Sequence, residues 1–175
     1  MEQLLPPGPG SEVALVPYDE DWPAAFARER DRIRAALVGA EVHHVGSTSV
    51  PGLVAKPVLD LVLVVDDPAD EAAYVPALVR VGLALSHREP EWFEHRLLKR
   101  TAPRVNLHVF GTGCPEVARM LAFRDRLRDD PGDRALYARV KRGLAERTWP
   151  TVQDYADTKT AVVAEIMTRA EPPPP

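Results

Sequence analysis

The sequence lacks the features that mark secreted or membrane proteins. Cys114 is its single cysteine, so the chain cannot form an intrachain disulfide, which fits a reducing compartment. No apolar run approaches the roughly 20 residues that span a bilayer. The N-terminal residues have neither the basic start nor the apolar core of a signal peptide. We therefore expect a cytoplasmic protein without a membrane partner.

The chain also lacks an excess of positive charge. It has 22 Lys and Arg against 26 Asp and Glu, a net charge of −4. Non-specific nucleic-acid binding needs a basic face, so we expect no nucleic-acid partner, although a local basic cleft is compatible with these numbers. The 45% hydrophobic and 27% charged residues are ordinary for a soluble globular protein, and 175 residues suit one domain with a core.

Proline-rich stretches mark both ends of the chain. Residues 1–11 and 171–175, the latter reading EPPPP, are predicted to be disordered tails, because polyproline cannot continue a helix. Residues 12–170 are predicted to form one domain.

The apolar spacing between the tails predicts both helices and strands. Helices are predicted at 22–38, 68–81, 116–128, 133–146 and 152–169, and strands at 41–45, 58–65, 83–87, 92–99 and 105–110. The Val- and Leu-rich strand at 58–65 is expected to be buried on both faces. The strand at 105–110 alternates, so Asn106 and His108 should share its polar face. This order indicates an α/β or α+β sheet with a C-terminal helical cover.

A hydroxyl-rich turn follows the strand at 41–45. Its residues are Gly46, Ser47, Thr48 and Ser49. Free backbone N–H groups and hydroxyls in such a turn can hold phosphate oxygens. It is not a Walker A loop, because no Gly-Lys-Ser/Thr follows, and the same four residues would also suit a plain loop.

Asp60 is the only charged residue in the strand at 58–65. Burying a lone carboxylate among apolar residues costs roughly several kcal/mol of hydration free energy, unless it is paired or binds a cation. Two interpretations follow: an ion pair with Lys56 or an arginine, or a cation site at the open end of the strand. The hydroxyl-rich turn upstream favours the cation, because Mg²⁺ usually bridges carboxylate and phosphate.

Longer motifs along the chain resemble the GrpB family. They are VxxxPYDxxWPxxFxxERxRI at 13–33, HHVGSTSVPGLVAKPVLDL at 43–61, NLHVF at 106–110, LAFRDRLRDDP at 121–131, YARVK at 137–141 and YADTK at 155–159. The resemblance covers residues 12–169 and implies a nucleotidyltransferase-like mixed sheet flanked by helices. It also implies that Gly46 and Ser47 contact nucleotide phosphates and that Asp60 binds Mg²⁺ or Mn²⁺. Some relatives carry this domain fused to dephospho-CoA kinase.

The sequence departs from the nucleotidyltransferase pattern at Val62. Two-metal transfer needs several acids around metals about 3.5–4 Å apart, and the superfamily supplies them as Asp-x-Asp plus an acid on a neighbouring strand. Here Val62 follows Asp60, and the neighbouring strand offers Asn106 and His108. A single-metal site, or a softer one that His44 joins, is the alternative. The candidate catalytic residues are Asp60, Asn106 and His108, and the candidate metal ligands are Asp60, His44 and His108.

The other histidines leave two readings open. His43 and His44 lie in one short strand, so we expect one to face the core and the other the cleft. His44 is equally consistent with packing and with ligand binding. His87 and His95 are predicted to lie on the surface.

Two basic residues near the turn motif are further candidates for phosphate contacts. Lys56 would neutralise a phosphate or pair with Asp60. Arg124 would contact a phosphate or pair with its neighbour Asp125.

Two Tyr-x-x-x-Lys pairs lie in the predicted C-terminal helices. Tyr137 and Lys141, like Tyr155 and Lys159, share one helix face because they are four residues apart. One reading is a solvated face. The other is a ligand-facing surface on which the rings stack on a base and Lys141 and Lys159 meet a triphosphate.

These features predict a protein that binds ATP or another nucleoside triphosphate and transfers a nucleotidyl group to, or activates, a small-molecule acceptor. Val62 supports a second hypothesis, a degenerate module that binds a nucleotide or small ligand without turnover. A third hypothesis is an enzyme that uses Asp60 and His108 as an acid–base pair on a different small substrate.

Overall fold

The computed structural model describes residues 2–3, 14–146 and 160–170. Its strands are β1 (Glu2–Gln3), β2 (Glu41–Val45), β3 (Leu59–Val65), β4 (Ala84–Glu89), β5 (His95–Thr101) and β6 (Arg104–Gly111). Its helices are α1 (Trp22–Ala36), α2 (Glu71–Arg80), α3 (Pro115–Asp129), α4 (Pro131–Ala145) and α5 (Thr160–Ala170). A single 3₁₀ turn at Ser47–Ser49 follows β2.

The strands form one mixed sheet in the order β1-β4-β5-β6-β3-β2. The pair β3 and β6 is parallel and the other pairs are antiparallel. Asp60 on β3 is therefore paired with Asn106 on β6 and with Val45 on β2. β2 lies at one edge of the sheet, and helices α1 and α3 are its neighbours.

The two faces of the sheet have different chemistry because side chains alternate along each strand. One face, which includes Leu61 and Leu107, packs against α1 and α2 in the main core. The opposite face carries Asp60, Asn106 and His108, and α3 covers the part of it around Val62. We call this second surface the polar face. Leu61 and Val62 are both fully buried on opposite faces, as predicted for β3.

The C-terminal helices form the expected cover. Leu127 of α3, Tyr137 of α4 and Ile166 of α5 pack together, and their cluster includes Val50 and Leu53 from the loop after the 3₁₀ turn. The three helices are thus packed onto the loop that joins β2 to β3. This arrangement fixes the hydroxyl-rich turn beside the sheet.

An ionic cluster ties the same three helices together. The buried carboxylate of Asp133 on α4 accepts from Arg126 Nε of α3 at 2.7 Å and from Arg169 Nη2 of α5 at 2.6 Å. Asp130 accepts from Arg126 at 2.7 Å and caps α4 through the Asp133 amide at 2.9 Å. These paired contacts hold the pKa of Asp133 below its usual value.

Several predicted boundaries need correction. The helix predicted at 68–81 begins at Glu71. The strand predicted at 92–99 begins at His95, because Phe93 and Glu94 adopt positive φ angles of 55° and 54°, which interrupt a strand. Glu2 and Gln3, expected in a disordered tail, pair with β4. The rest of both predicted tails, and residues 152–159 of the last predicted helix, lie outside the described residues.

None of the helices in the described ranges has the length and apolar character needed to cross a membrane.

A buried ion pair joins α1 to the sheet. Glu29 of α1 contacts Arg100 of β5, and their side chains are 5% and 8% exposed. Arg100 Nη1 also donates to the Val81 carbonyl at 3.3 Å. The guanidinium therefore has its countercharge inside the protein.

Glu29→Ala should lower the free energy of unfolding by about 3 kcal/mol, because it leaves the Arg100 charge buried without its carboxylate. Asp31→Ala is the matched control on the same helix, since Asp31 pairs with Arg30 at the surface, where such pairs contribute about 1 kcal/mol or less. Urea denaturation measures both. Equal losses in the two variants would show that the Glu29–Arg100 pair has no special importance.

Candidate functional site

The turn after β2 brings the backbone against Asp60. Gly46 adopts a φ of 66°, a left-handed conformation that favours glycine. A Cβ at this position would lie 2.5 Å from Asp60 Oδ2. Gly46 thus permits both the turn and its close approach to the carboxylate.

The hydroxyls of this turn have different surroundings. The Thr48 hydroxyl is buried and lies 3.0 Å from His44 Nε2, and the buried Ser49 hydroxyl donates to the Gly46 carbonyl at 2.5 Å. Gly46 is exposed and Ser47 is partly exposed. Direct phosphate contacts predicted for Thr48 and Ser49 through their hydroxyls are therefore not supported, whereas Gly46 and Ser47 are accessible.

Asp60 is paired with an amide rather than with a cation. Its Oδ1 accepts from Asn106 Nδ2 at 2.9 Å, across the β3–β6 pair. Within the described residues Asp60 forms no ion pair with an arginine. Lys56 itself is partly buried. The carboxylate is partly buried and keeps its Oδ2 on the side of the turn.

Lys141 reaches the turn from α4. Its Nζ donates to Ser47 Oγ at 2.7 Å and to the Val54 carbonyl at 2.5 Å. The side chain is buried, so the solvated-face reading of Lys141 is wrong. An ammonium group is consequently fixed beside the one turn hydroxyl that is accessible.

Two other predicted phosphate or base contacts, at Tyr137 and Arg124, are placed differently. The ring of Tyr137 is buried and packs edge-on against Phe123 with ring centroids 5.2 Å apart, so it is a core residue and not an open stacking surface. Arg124 pairs with Asp125 at 2.8 Å and donates to the His44 carbonyl at 3.1 Å. Lys159 lies outside the described residues.

His44 cannot join Asp60 in a metal site, because the two side chains lie on opposite faces of the sheet. His44 pairs with Leu61 on β3, one position from Asp60, and its ring stacks on Phe26 of α1 with centroids 4.7 Å apart. Burial, with smaller contributions from Arg128 and Arg124, lowers its pKa to about 4. His44 is therefore a neutral packing residue near neutral pH, and His43 occupies the other face, at the edge strand.

His108 is the end of a hydrogen-bonded chain on the polar face. Its Nδ1 lies 3.0 Å from His95 Nε2, and His95 Nδ1 lies 2.7 Å from Glu89 Oε2. Since a carboxylate only accepts, His95 donates from Nδ1 and accepts at Nε2, so His108 donates from Nδ1. This leaves Nε2 of His108 with a free lone pair, which is the state of a general base.

The surface position predicted for His95 is wrong. The ring is buried between Trp92 and Phe110, each with its centroid 4.7 Å away. Burial lowers the pKa of His95 to about 3, and it also lowers the pKa of His108, against the raising effect of Asp60. Both imidazoles are neutral near neutral pH.

Lys99 is a residue of the polar face that sequence reasoning missed. It pairs with Asn106 across β5 and β6, and it is partly buried. Burial lowers its pKa. Within the described residues its ammonium has no hydrogen bond or ion pair. The alternation of side chains along the predicted strand at 92–99 places Lys99 on one face of that strand. Which residues of β6 share that face follows only from the register of β5 against β6.

The donor set does not fit a two-metal centre. Val62 stands in the position of the second acid and is fully buried with Val45, Phe110 and Val117. The described residues contain no cluster of three or more His, Cys, Asp or Glu side chains able to hold a metal. Among the described residues, Asp60 is the carboxylate that lies against the turn and Lys141 is the ammonium that reaches it, so the arrangement offers one acid where two metals would need several.

Comparison with known proteins identifies the family. The GrpB protein family matches residues 12–169. This chain belongs to the GrpB family. A UPF0157 protein of Halalkalibacterium halodurans is 54% identical over 91% of this chain and 83% of its own length. A UPF0157 protein of Streptomyces coelicolor is 44% identical over 91% of this chain and 84% of its own length.

Solved structures agree with the fold. The conserved protein GrpB from Enterococcus faecalis superposes with a TM-score of 0.78 and 27% identity, covering 90% of this chain and 96% of that one. Cid1 in complex with its short product ApU superposes with a TM-score of 0.51 and 14% identity, covering 75% of this chain and 43% of that one. This GrpB protein therefore has the predicted nucleotidyltransferase-like fold.

Gly46→Ala in this GrpB protein should be more destabilising than Gly52→Ala, by about 1–3 kcal/mol. Both glycines have positive φ, so both substitutions strain the backbone, but only the Cβ at position 46 meets Asp60. Thermal unfolding measures the difference. The Asn106 side-chain amide signals in an NMR spectrum should also move only in the first variant. Equal stability losses with unchanged Asn106 signals would contradict the close contact.

Proposed function

We propose that this GrpB protein binds a nucleoside triphosphate, ATP or a related nucleotide, at the Gly46–Ser47 turn and transfers its nucleotidyl group to a small-molecule acceptor. The observation that carries the proposal is the Lys141 ammonium fixed 2.7 Å from Ser47 Oγ, in the turn whose Gly46 lies against Asp60. A cytoplasmic location, where such nucleotides are available, is part of this proposal.

The charges of the site suit a triphosphate. Lys141 and Lys99 supply two ammonium groups, and the exposed turn supplies the Gly46 backbone and the Ser47 hydroxyl. Partly buried cations interact more strongly with an anion than exposed ones, because less water screens them. The nucleotidyltransferase-like fold favours a nucleotide among the anions that would fit.

The reacting proton has an acceptor in His108. In the proposed step, Nε2 of His108 takes the proton of an acceptor hydroxyl as its oxygen bonds to the α-phosphorus. The bond from the α-phosphorus to the bridging oxygen then breaks, and pyrophosphate leaves with the electron pair. Lys141 and Lys99 offset the charge on the phosphate oxygens. Glu89 and His95 are positioning residues, because they fix the tautomer of His108.

No part of this step is assigned to Mg²⁺ or Mn²⁺. Asp60 already accepts from Asn106, Val62 replaces the second acid, and His44 lies on the opposite face. The two-metal arrangement of the superfamily therefore does not fit these side chains, and the step is written with the groups of the chain alone.

Val62 also favours a second candidate function, a protein that binds the nucleotide without transferring it. The buried valine removes an acid and leaves the turn, Lys141 and the fold intact. Pyrophosphate release separates the two functions: binding without release supports the second one.

Lys141→Met should weaken binding of ATP or GTP by about tenfold or more, because it removes the ammonium beside Ser47 while keeping a side chain of similar length. Arg139→Met on the same helix is the matched control, since Arg139 is exposed. Isothermal titration calorimetry, with and without Mn²⁺, measures the affinities, and a thermal melt verifies folding. The proposal fails if wild-type protein binds neither nucleotide or if both variants bind as wild type does.

His108→Ala should reduce pyrophosphate release by about a hundredfold or more and leave nucleotide affinity nearly unchanged. Because burial lowers the pKa of His108, the base is unprotonated at neutral pH, and the rate should fall only at a pH below the range in which an ordinary imidazole becomes protonated. Glu89→Gln should shift this fall in rate to lower pH, because it removes the negative charge that stabilises the protonated forms of His95 and His108. Undiminished release by His108→Ala, or a Glu89→Gln profile identical to wild type, would remove the relay from the mechanism.

A further inference from the structure

A cavity lies beside β2, and its lining contains neither Ser47 nor Lys141. Its volume is about 710 Å³, within the usual range for small-molecule sites. Its lining includes five arginines from three helices: Arg30 and Arg34 of α1, Arg124 and Arg128 of α3, and Arg134 of α4. Asp60, Lys99, Asn106 and His108 do not line it.

Backbone carbonyls hold four of these guanidinium groups in place without neutralising them. Arg34 donates to Ala40 at 3.0 Å and Arg134 donates to Leu127 at 3.0 Å. Arg128 donates to the Ser49 carbonyl through Nε at 2.9 Å and Nη2 at 2.8 Å. The fourth, Arg124, bonds to the His44 carbonyl, as described above. An anchored guanidinium is preorganised for bidentate binding of phosphate or carboxylate.

The acids near the cavity do not balance its positive charge. Glu41 is the acid in its lining. Arg30 pairs with Asp31, and Asp125 is shared by Arg124 at 2.8 Å and Arg128 at 3.5 Å. Arg34 and Arg134 have no acidic partner within the described residues. The cavity therefore carries a net positive charge in a protein whose overall charge is −4.

The pKa values of two groups in the lining, Arg128 and His44, agree with an excess of positive charge in the cavity. Burial and the neighbouring Arg124 charge lower the pKa of Arg128. The same two arginines contribute to the low pKa of His44, whose imidazole also faces Phe26 and Thr48. A bound anion would offset the positive potential at both groups.

The remaining wall of the cavity is apolar and aromatic. Tyr18, Pro23, Phe26 and Pro51 contribute to it. A ligand with a compact charged group and an apolar or ring portion would contact both kinds of surface. A cavity of this size suits a small molecule better than an extended nucleic-acid strand, which would need a longer basic surface.

We propose that this arginine cavity is a second ligand site, for a small molecule that carries at least two negative charges as phosphate groups. The proposal does not depend on nucleotide binding at the Ser47 turn, because the two sites use different residues. The turn itself lies between them, since Lys141 holds Ser47 and Arg128 holds the Ser49 carbonyl.

Pyrophosphate is the probe that tests this site, and the imidazole signals of His44 in NMR spectra are the readout. Pyrophosphate should shift these signals and raise the pKa of His44 from its value of about 4, because the anion offsets the nearby guanidinium charges. The same response should persist in Lys141→Met, which separates this cavity from the Ser47 turn.

The double variant Arg30→Gln/Arg34→Gln should bind pyrophosphate about tenfold more weakly, as two charge-assisted contacts are lost. Arg28→Gln is the matched control, since Arg28 lies on α1 but does not line the cavity. Three results would overturn the proposal: His44 signals unmoved at millimolar pyrophosphate, equal affinity in the double variant and the control, or tighter binding of a single-stranded oligonucleotide than of pyrophosphate at this site. The His44 response of the wild-type protein decides the matter even where the double variant does not fold.

Discussion

The close contact between the Gly46 backbone and the Asp60 carboxylate sets the position of everything around the turn. It requires a glycine with positive φ directly after β2, because the last residue of that strand, Val45, pairs with Asp60 and a Cβ at position 46 would meet the Asp60 carboxylate. The contact places Ser47 where Lys141 of α4 can reach it, and the Asp60–Asn106 hydrogen bond continues the arrangement onto β6. The helical cover packs on the same loop and so holds the turn in place.

The site differs from the two-metal pattern expected for a nucleotidyltransferase-like fold, because Asp60 on β3 is not joined by a second acid on that strand. Val62, two residues after Asp60, is part of the core beneath α3. His108 takes the place of a third acid, and Glu89 and His95 behind it define its tautomer. The proposed phosphate binding and proton transfer depend on Lys141, Lys99 and the neutral imidazole of His108.

Local pattern was enough to predict most strands and the α/β architecture, because alternation and turn chemistry act over a few residues. The joint role of Gly46, Ser47 and Asp60 was implied by the family resemblance and remains a prediction. Local sequence does not reveal which residues of two neighbouring strands point to the same face of the sheet. The sequence alone therefore allows His44 as a partner of Asp60, although the β2–β3 register puts it on the opposite face. The buried position of His95 likewise depends on packing across strands, which its local sequence does not reveal.

The turn is also the part of the structure that both proposed ligand sites share, with Lys141 on one side and Arg128 on the other. A crystal structure with a non-hydrolysable nucleoside triphosphate and Mn²⁺ tests the central assignment most directly. The account predicts phosphate density within hydrogen-bond distance of Ser47 and Lys141, on the side of Asp60. Phosphates bound only in the arginine cavity, with the Ser47 turn empty, would contradict it.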